Sequence, residues 1–349
     1  MSTYEADVLI VGAGIAGLMA ANALVKDGLS VIVVDKGRGV GGRMATRRIG
    51  TGRADHGAQF FTVRHDAFNQ FVQEWLEQGL IRQWSTGWSR GSAFPPSQDG
   101  YPRYVGANGM TTVPKFLAEG LDVRKGVKVV KVTPALSEVE GAVSHHYLTT
   151  DDNGHQYQSK ALLMTAPAPQ SLAILKAGNV PLNTLDQIAL KHIAYDPCIA
   201  AMYWLEGSIN LPKPGAIQRP DQTFPWIADN QRKGISPEAV LITVHANPEI
   251  SWELWDADNF IKIAVLQAGL QPFITPETII KEAQAHRWRY AIPTKLHPNR
   301  TLVAKGLPPL AFAGDAFQEP RVEGAALSGL AAANALSKQL HATFHIDQS

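Results

Sequence analysis

A single cysteine, Cys198, in 349 residues leaves no partner for an internal disulfide and no set of thiolates for an iron–sulfur cluster or cysteine-based metal site. Excess charge is equally scarce. The 32 Lys+Arg stand against 31 Asp+Glu, a net of +1, which gives no long-range attraction to nucleic acid or an anionic membrane. Long apolar runs are nearly absent too. The uncharged eighteen residues from Val8 to Val25 contain Gly12, Gly14 and Gly17 and follow the acidic Glu5 and Asp7. That context suits a buried strand and helix better than a membrane span or a secretory leader. The eleven histidines show no His-Glu-x-x-His spacing, and neither a Gly-x-Ser-x-Gly elbow nor a Walker loop occurs. The expectation is a cytoplasmic protein with no metal, no nucleic-acid partner and no membrane partner. What remains, 45% hydrophobic and 18% charged residues, is the balance of a folded chain long enough for two domains.

The opening forty residues read as strand, tight turn, helix, strand. Asp7 to Val11 is a continuous apolar run of the kind a parallel strand buried on both faces carries. Ile15 to Lys26 is a helix stopped at Gly28, and Ser30 to Val34 is a second buried strand ending in Asp35. Further on, the spacing predicts a helix over 66–78 with Asp66 as its N-cap, and strands or loops over 87–104 around Pro95-Pro96. A short helix over 112–119 and a strand over 127–133 follow. The segments 145–150 and 157–165 form a hairpin through the turn-prone Asp151-Asp152-Asn153-Gly154. Pro167 and Pro169 mark the expected crossing between domains. Beyond it come strands at 199–205 and 240–246, helices at 256–268 and 276–285, a last buried strand at 310–313 and a helix over 324–340. The fold class is therefore α/β plus α+β, a Rossmann-type nucleotide domain with a second domain on a mainly antiparallel sheet.

The chemistry begins at Gly12-Ala13-Gly14-Ile15-Ala16-Gly17. In this pattern the first glycine permits the turn and the second lets a pyrophosphate approach the backbone. The third allows close helix–strand packing, and the helix N-terminus faces the phosphates. Asp35 lies eighteen residues after Gly17, where an acidic side chain meets the ribose 2′-hydroxyl of an adenine dinucleotide and disfavours a 2′-phosphate.

Lys36 to Met44, with paired glycines before Arg43, and Asp55-His56-Gly57-Ala58-Gln59-Phe60 resemble the flavin-containing amine oxidase superfamily. So do Gly314-Asp315 and Glu323-Gly324-Ala325-Ala326-Leu327-Ser328-Gly329 near the C-terminus. The resemblance implies non-covalent FAD, touched by Gly12, Gly14, Ile15, Ala16, Gly17, Asp35, Lys36, Gly42, Arg43 and Met44. It adds Gly57, Ala58, Gln59, Phe60, Val127, Gly314, Asp315, Val322, Gly324 and Ala325. Asp315 would bond the ribityl or pyrophosphate region, Val127 would lie beside the adenine, and a helix beginning near Gly324 would stabilise charge at the flavin N1/O2 edge. The implied FAD-binding domain is discontinuous, over 1–85, 105–168 and 295–349, with a substrate domain over 86–104 and 169–294.

Within the superfamily, Gly42 to Thr46, Trp226 to Asn230, His286 to Tyr290 and Val244-His245 resemble renalase-like proteins. That resemblance implies oxidation of misplaced-hydride isomers of NAD(P)H by hydride transfer to flavin N5, with O2 accepting the electrons as H2O2. Where many amine oxidases place a cage aromatic, this chain has Pro320-Arg321-Val322. An arginine suits a phosphate or carboxylate and repels an ammonium; the competing reading pairs Arg321 with Glu319, Glu323 or solvent. Trp226, His245, Trp288 and Arg321 are the candidate pocket residues. Two other readings stand beside this one: an oxidase of amines or other small metabolites, and a non-catalytic carrier resembling Rab GDP-dissociation inhibitors.

Overall fold

A computed structural model of the chain describes residues 3–90, 97–139 and 142–346, so Pro95-Pro96 lie outside the described residues. The elements begin with β1 (Thr3–Val11), α1 (Ile15–Lys26), β2 (Val31–Asp35), β3 (Thr46–Ile49), β4 (Gly52–Asp55), α2 (Asp66–Glu77), β5 (Ile81–Trp88), β6 (Ser97–Gly106) and α3 (Thr112–Leu117). They continue with β7 (Asp122–Lys125), β8 (Val129–Val139), β9 (Ala142–Asp151), β10 (Gln156–Met164), α4 (Ala168–Ala177), α5 (Thr184–His192), β11 (Ala194–Glu206), β12 (Ala216–Gln218) and β13 (Trp226–Asp229). The last are β14 (Val240–His245), α6 (Pro248–Glu253), α7 (Asn259–Gln267), β15 (Ile279–Lys295), β16 (Leu302–Val303), β17 (Leu310–Phe312) and α8 (Arg321–Ile346). Two compact units divide them: Met1–Gly42, Pro114–Ala194 and Pro293–Ser349 in the first, Arg43–Val113 and Tyr195–Ile292 in the second.

The first unit is built on a sheet of order β16-β17-β10-β1-β2-β7, with β9 beside β10 and β8 beside β9. β1 runs parallel to both β2 and β10, and β17 runs parallel to β10. The apolar runs of β1 and β2 are buried because neither face of a parallel sheet is left to water. α8 lies so close against α1 that a Cβ on Gly329 would sit 2.1 Å from the Ala16 carbonyl oxygen. The end of the chain thereby joins the helix that follows the glycine turn.

The second unit is a five-stranded sheet of order β12-β13-β14-β11-β15. Alternation splits its strands between two faces. Ile199, Tyr203, Ile217, Ile227, Ile242 and Val244 pack with Leu266 and Leu270 on one side. Met202, Ala239 and Leu241 take Ile49 and Ala54 of the β3–β4 hairpin on the other. On that same unit Trp88, Ala216, Trp226 and Ala228 cluster with Phe60 and Trp84.

Several expectations change. The compact units fall differently from the expected domains, because the β3–β4 hairpin buries its apolar residues on β14, carrying 43–85 and 105–113 into the second unit. Residues 169–194 stay with the first. Pro167 and Pro169 are no crossing: Pro167 caps α4 and Pro169 sits in its first turn, where a missing N–H is harmless. The segment 276–285, expected as a helix, opens into β15, where pairing beside β11 outweighs the helix propensity of its Glu, Lys, Ala and Gln residues. His65 occupies the N-cap of α2, and Asp66 enters its first turn instead. α8 begins at Arg321 rather than Gly324.

Candidate functional site

In the first unit the three glycines of the opening turn do three different things. Gly12 holds φ +119°, a backbone region a side chain disfavours, and its Cβ would press on Thr165 Oγ1 at 2.4 Å. Gly17 would place a Cβ 2.0 Å from the Gly12 carbonyl oxygen, so its role is close packing. Gly14, at the N-cap of α1, faces open space: no heavy atom lies within 4 Å of where its Cβ would be. An open cradle over free helix amides is what a pyrophosphate requires. Ile15 and Ala16 are buried behind it.

Asp35 closes this turn. Its Oδ2 accepts the Ala13 N–H at 2.7 Å and its Oδ1 accepts the Gly37 N–H at 2.6 Å. A carboxylate has about four acceptor sites, which leaves capacity for ribose hydroxyls. Gly41 donates to the Ala13 carbonyl at 2.8 Å, and Gly42 follows it at φ +53°. Lys36 is exposed. Val127 donates its N–H to the Asp35 carbonyl at 2.9 Å, so an adenine contact from Val127 would use its carbonyl or side chain.

The C-terminal motif is also in the first unit. Gly314, at φ +145°, donates to Ser328 Oγ at 2.9 Å, and Ser328 donates on to the Arg300 carbonyl at 2.5 Å. Asp315 is buried beside it. Because α8 begins at Arg321, its free amides span Arg321 to Gly324, and Ala325 falls just past them. Val322, Gly324 and Ala325 are buried. Two non-glycine residues before and at the helix start hold left-handed backbone, Gln318 at φ 67° and Arg321 at φ 79°. Such strain persists only where the surroundings enforce it. Arg321 is exposed and makes no ion pair among the described residues; Glu319 faces Arg300 at 3.8 Å instead.

In the second unit the segment Arg43 to Met44 and the segment Asp55 to Phe60 are bound together. Ala58 donates to the Arg43 carbonyl at 2.7 Å, and a Cβ on Gly57 would come within 2.0 Å of that same oxygen. Arg43 donates to the Tyr290 carbonyl at 3.0 Å, which ties it to β15. Met44 is buried. Beneath them lies an ion pair no sequence pattern announced. Lys233 Nζ donates to Asp55 Oδ2 at 2.6 Å, both side chains wholly buried. Asp55 Oδ1 accepts from Thr46 Oγ1 at 2.5 Å and from the Met110 N–H at 2.9 Å. Its carbonyl accepts from Gln59 Nε2 at 2.7 Å and Thr243 Oγ1 at 2.8 Å. Burial pushes the Lys233 ammonium down, and Asp55 opposes that. Lys233 sits in a polar stretch that reads as an exposed turn, so the sequence carried no signal for it.

Three strands bring the pocket candidates together. Gln218 of β12 pairs in register with Trp226 of β13, Trp226 with His245 of β14, and His245 with Ala200 of β11. Residues directly opposite in an antiparallel pair share a face, so Gln218, Trp226 and His245 form one row across the sheet. They line a cleft of about 360 Å3, with Gln59, Phe60 and Asn247 among its other walls. No Asp, Glu, Lys or Arg is among the described residues lining it. Three of its walls carry a buried polar atom with no partner: Gln59 Oε1, Trp226 Nε1 and His245 Nε2. Trp288 is not among the cleft's walls. It stacks on His56 (centroids 5.2 Å apart, 14° between planes) and donates Nε1 to the His56 carbonyl at 2.8 Å. His286 meets both rings edge-on, its centroid 4.3 Å from Trp288 and 4.8 Å from His56.

All three histidines here are held neutral. Desolvation lowers His56 to about 3, with further push from His286, Arg47 and His245. Desolvation lowers His245 to about 4, helped by the Lys233 charge, and His286 to about 4, helped by Arg47 and Arg287. Among the described residues no group of three or more His, Cys, Asp or Glu side chains is placed to hold a metal ion.

Comparison with known proteins agrees with this geometry. Residues 10–75 match the NAD(P)-binding Rossmann-like domain, and residues 79–337 match the family described as flavin containing amine oxidoreductase. A putative flavin-containing monoamine oxidase of Mycobacterium tuberculosis is 42% identical over 64 residues, a stretch covering 18% of this chain and 14% of that protein's length. Two solved structures share the fold. A redesigned putrescine oxidase is 17% identical at a TM-score of 0.66, over 96% of this chain and 99% of its own. A putative protoporphyrinogen oxidase from Exiguobacterium is 12% identical at 0.67, over 97% and 100%.

Proposed function

Because the chain belongs to the flavin containing amine oxidoreductase family, we propose that it is a FAD-dependent oxidase of an uncharged reduced heterocycle, its substrates being the 2- and 6-dihydro isomers of nicotinamide nucleotides, as for renalase-like proteins. The observation that carries the reading is the uncharged cleft of the second unit. A primary ammonium entering it would shed its water without meeting a carboxylate, which costs several kcal/mol. A dihydropyridine ring is neutral and flat, and Trp226 and Phe60 offer it apolar faces.

FAD fits the first unit: the space over Gly14, the Asp35 carboxylate and the Gly314–Asp315 turn would hold its dinucleotide. When bound it would supply a two-electron acceptor that passes the electrons to O2, giving H2O2. The chain's own residues would orient and exclude water, since a dihydropyridine already favours loss of its hydride. His245, neutral at pH 7, would be neither a counter-ion nor an acid there. Non-covalent attachment is supported by the lone thiol, Cys198, which is buried and pushed up to about 12.

Anaerobic bleaching of the oxidised-flavin absorbance band tests the reading. We expect rapid bleaching by the 2- or 6-dihydro isomers and slow bleaching by ordinary NADH or primary amines. Bleaching by amines alone would replace this function with the amine oxidase that the relatives' names suggest.

A further inference from the structure

The proposed function leaves one wall of the cleft without a role. Gln218 ends β12, opposite Trp226 and on the same face as His245, and it lines the cleft. Its backbone N–H is spent on the Ser89 carbonyl at 3.0 Å. Its side-chain amide makes no hydrogen bond among the described residues, although it is half-buried. A primary amide carries two donors and an acceptor, and leaving them idle at the wall of a cleft gains nothing for the fold. Gln59, which also lines the cleft, keeps Nε2 on the Asp55 and Gly57 carbonyls while its buried Oε1 has no partner. Trp226, between Gln218 and His245 in the row, adds an unpartnered N–H. The walls therefore present donors and acceptors together, all uncharged, beside aromatic faces.

We propose that Gln218 is a specificity-determining residue that reads the planar carboxamide of the substrate: its Oε1 and Gln59 Oε1 accept from the carboxamide N–H2, while Trp226 Nε1 donates to the carboxamide oxygen. A carboxamide is the matching group, because its N–H2 needs an acceptor and its C=O needs a donor within one plane. A ketone in the same place satisfies only the donor side and leaves the acceptor idle. The inference rests on the reading of the substrate as a nicotinamide nucleotide and names the group by which the cleft recognises it. The row geometry places Gln218 there: a shift of one residue in β12 would turn it to the opposite face and bring Ile217 to the cleft.

The test uses the FAD-loaded protein and two real ligands, oxidised NAD+ and its 3-acetylpyridine analogue, in which a methyl ketone replaces the carboxamide. Binding is followed by tryptophan fluorescence and by perturbation of the flavin absorbance, so the readout does not depend on turnover. The wild-type protein should bind NAD+ about fivefold to tenfold more tightly than the analogue. Gln218→Leu should lose most of that preference, weakening NAD+ while leaving the analogue within about twofold. Gln218→Asn, which keeps the amide on a shorter arm, should retain part of the preference. Equal weakening of both ligands, or an unchanged ratio, overturns the role of Gln218 even if the dihydro isomers still bleach the flavin. If the isomers fail to bleach the wild-type protein, the substrate reading falls, and an absent preference for NAD+ then overturns the carboxamide frame with it. Flavin content and melting temperature of each variant identify a folding defect. Should Gln218→Leu fail to fold, Gln218→Met, which keeps the length of the arm without its amide, decides the matter: loss of the NAD+ preference supports the role and an unchanged ratio overturns it.

Discussion

Gly14 and Gly17 look alike in the sequence, yet the structure gives them opposite consequences. At Gly17 an added Cβ meets the Gly12 carbonyl oxygen at 2.0 Å, so Gly17→Ala should destabilise the protein by about 1–3 kcal/mol, read by chemical denaturation. At Gly14 nothing in the protein objects. Gly14→Ala should change apoprotein stability by less than about 1 kcal/mol while the purified protein loses most of its flavin. The buried Lys233–Asp55 pair is a second residue-scale test. Lys233→Met leaves Asp55 charged among groups that cannot hydrate it and should cost about 3–5 kcal/mol; adding Asp55→Asn should recover part of that loss. The histidines set the acid side of stability. Their folded values of about 3 to 4 lie below the unfolded 6.5, so unfolding takes up protons in that window. The unfolding midpoint should stay flat above about pH 7, then fall as pH drops from 6.5 toward 4. His245→Asn should flatten that fall.

Among the elements, those with strong local signals were legible. The apolar runs of β1 and β2, the Ala/Leu-rich α1 and its Gly28 stop, and the β9–β10 hairpin at its Asp-Asp-Asn-Gly turn all stand where local pattern put them. β15 was not legible, because its first half is composed of good helix formers and only a place beside β11 makes it a strand. The contact of α1 with α8 was equally hidden, although its agent, Gly329, was in plain view as part of a flavin motif. Gly329→Ala should lower stability by about 1–3 kcal/mol, because the Ala16 backbone must move. Arg321, at φ 79°, offers the reverse experiment. Arg321→Gly should raise the unfolding free energy by roughly 1 kcal/mol by releasing left-handed strain at the start of α8, measured by thermal unfolding.

For the whole molecule the predictions concern how a flavin is held. Acid precipitation should leave all flavin in the supernatant, since Cys198 is inaccessible and His56 is packed against Trp288 and His286. Flavin remaining with the pellet would mean a covalent link. A colourless protein that takes up no FAD would favour the carrier reading over any oxidase. Among the described residues no helix is long and apolar enough to cross a membrane, although Val8 to Val25 has the length. The glycine turn splits that run into the end of β1 and most of α1.

The sequence by itself determined what local chemistry can encode: the dinucleotide turn, the acidic residue that closes it, the flavin motifs at both ends of the chain, and the family they imply. Each is a short pattern of residue types that can be read within a few consecutive positions. Tertiary structure alone decided the cleft. Gln218, Trp226 and His245 stand on three successive strands, and only antiparallel register sets them in one row. The same holds for Lys233, whose charge is tolerable only because Asp55, from another part of the chain, meets it at 2.6 Å. Burial and register are properties of the assembled sheet, and no stretch of sequence contains them before the strands pair.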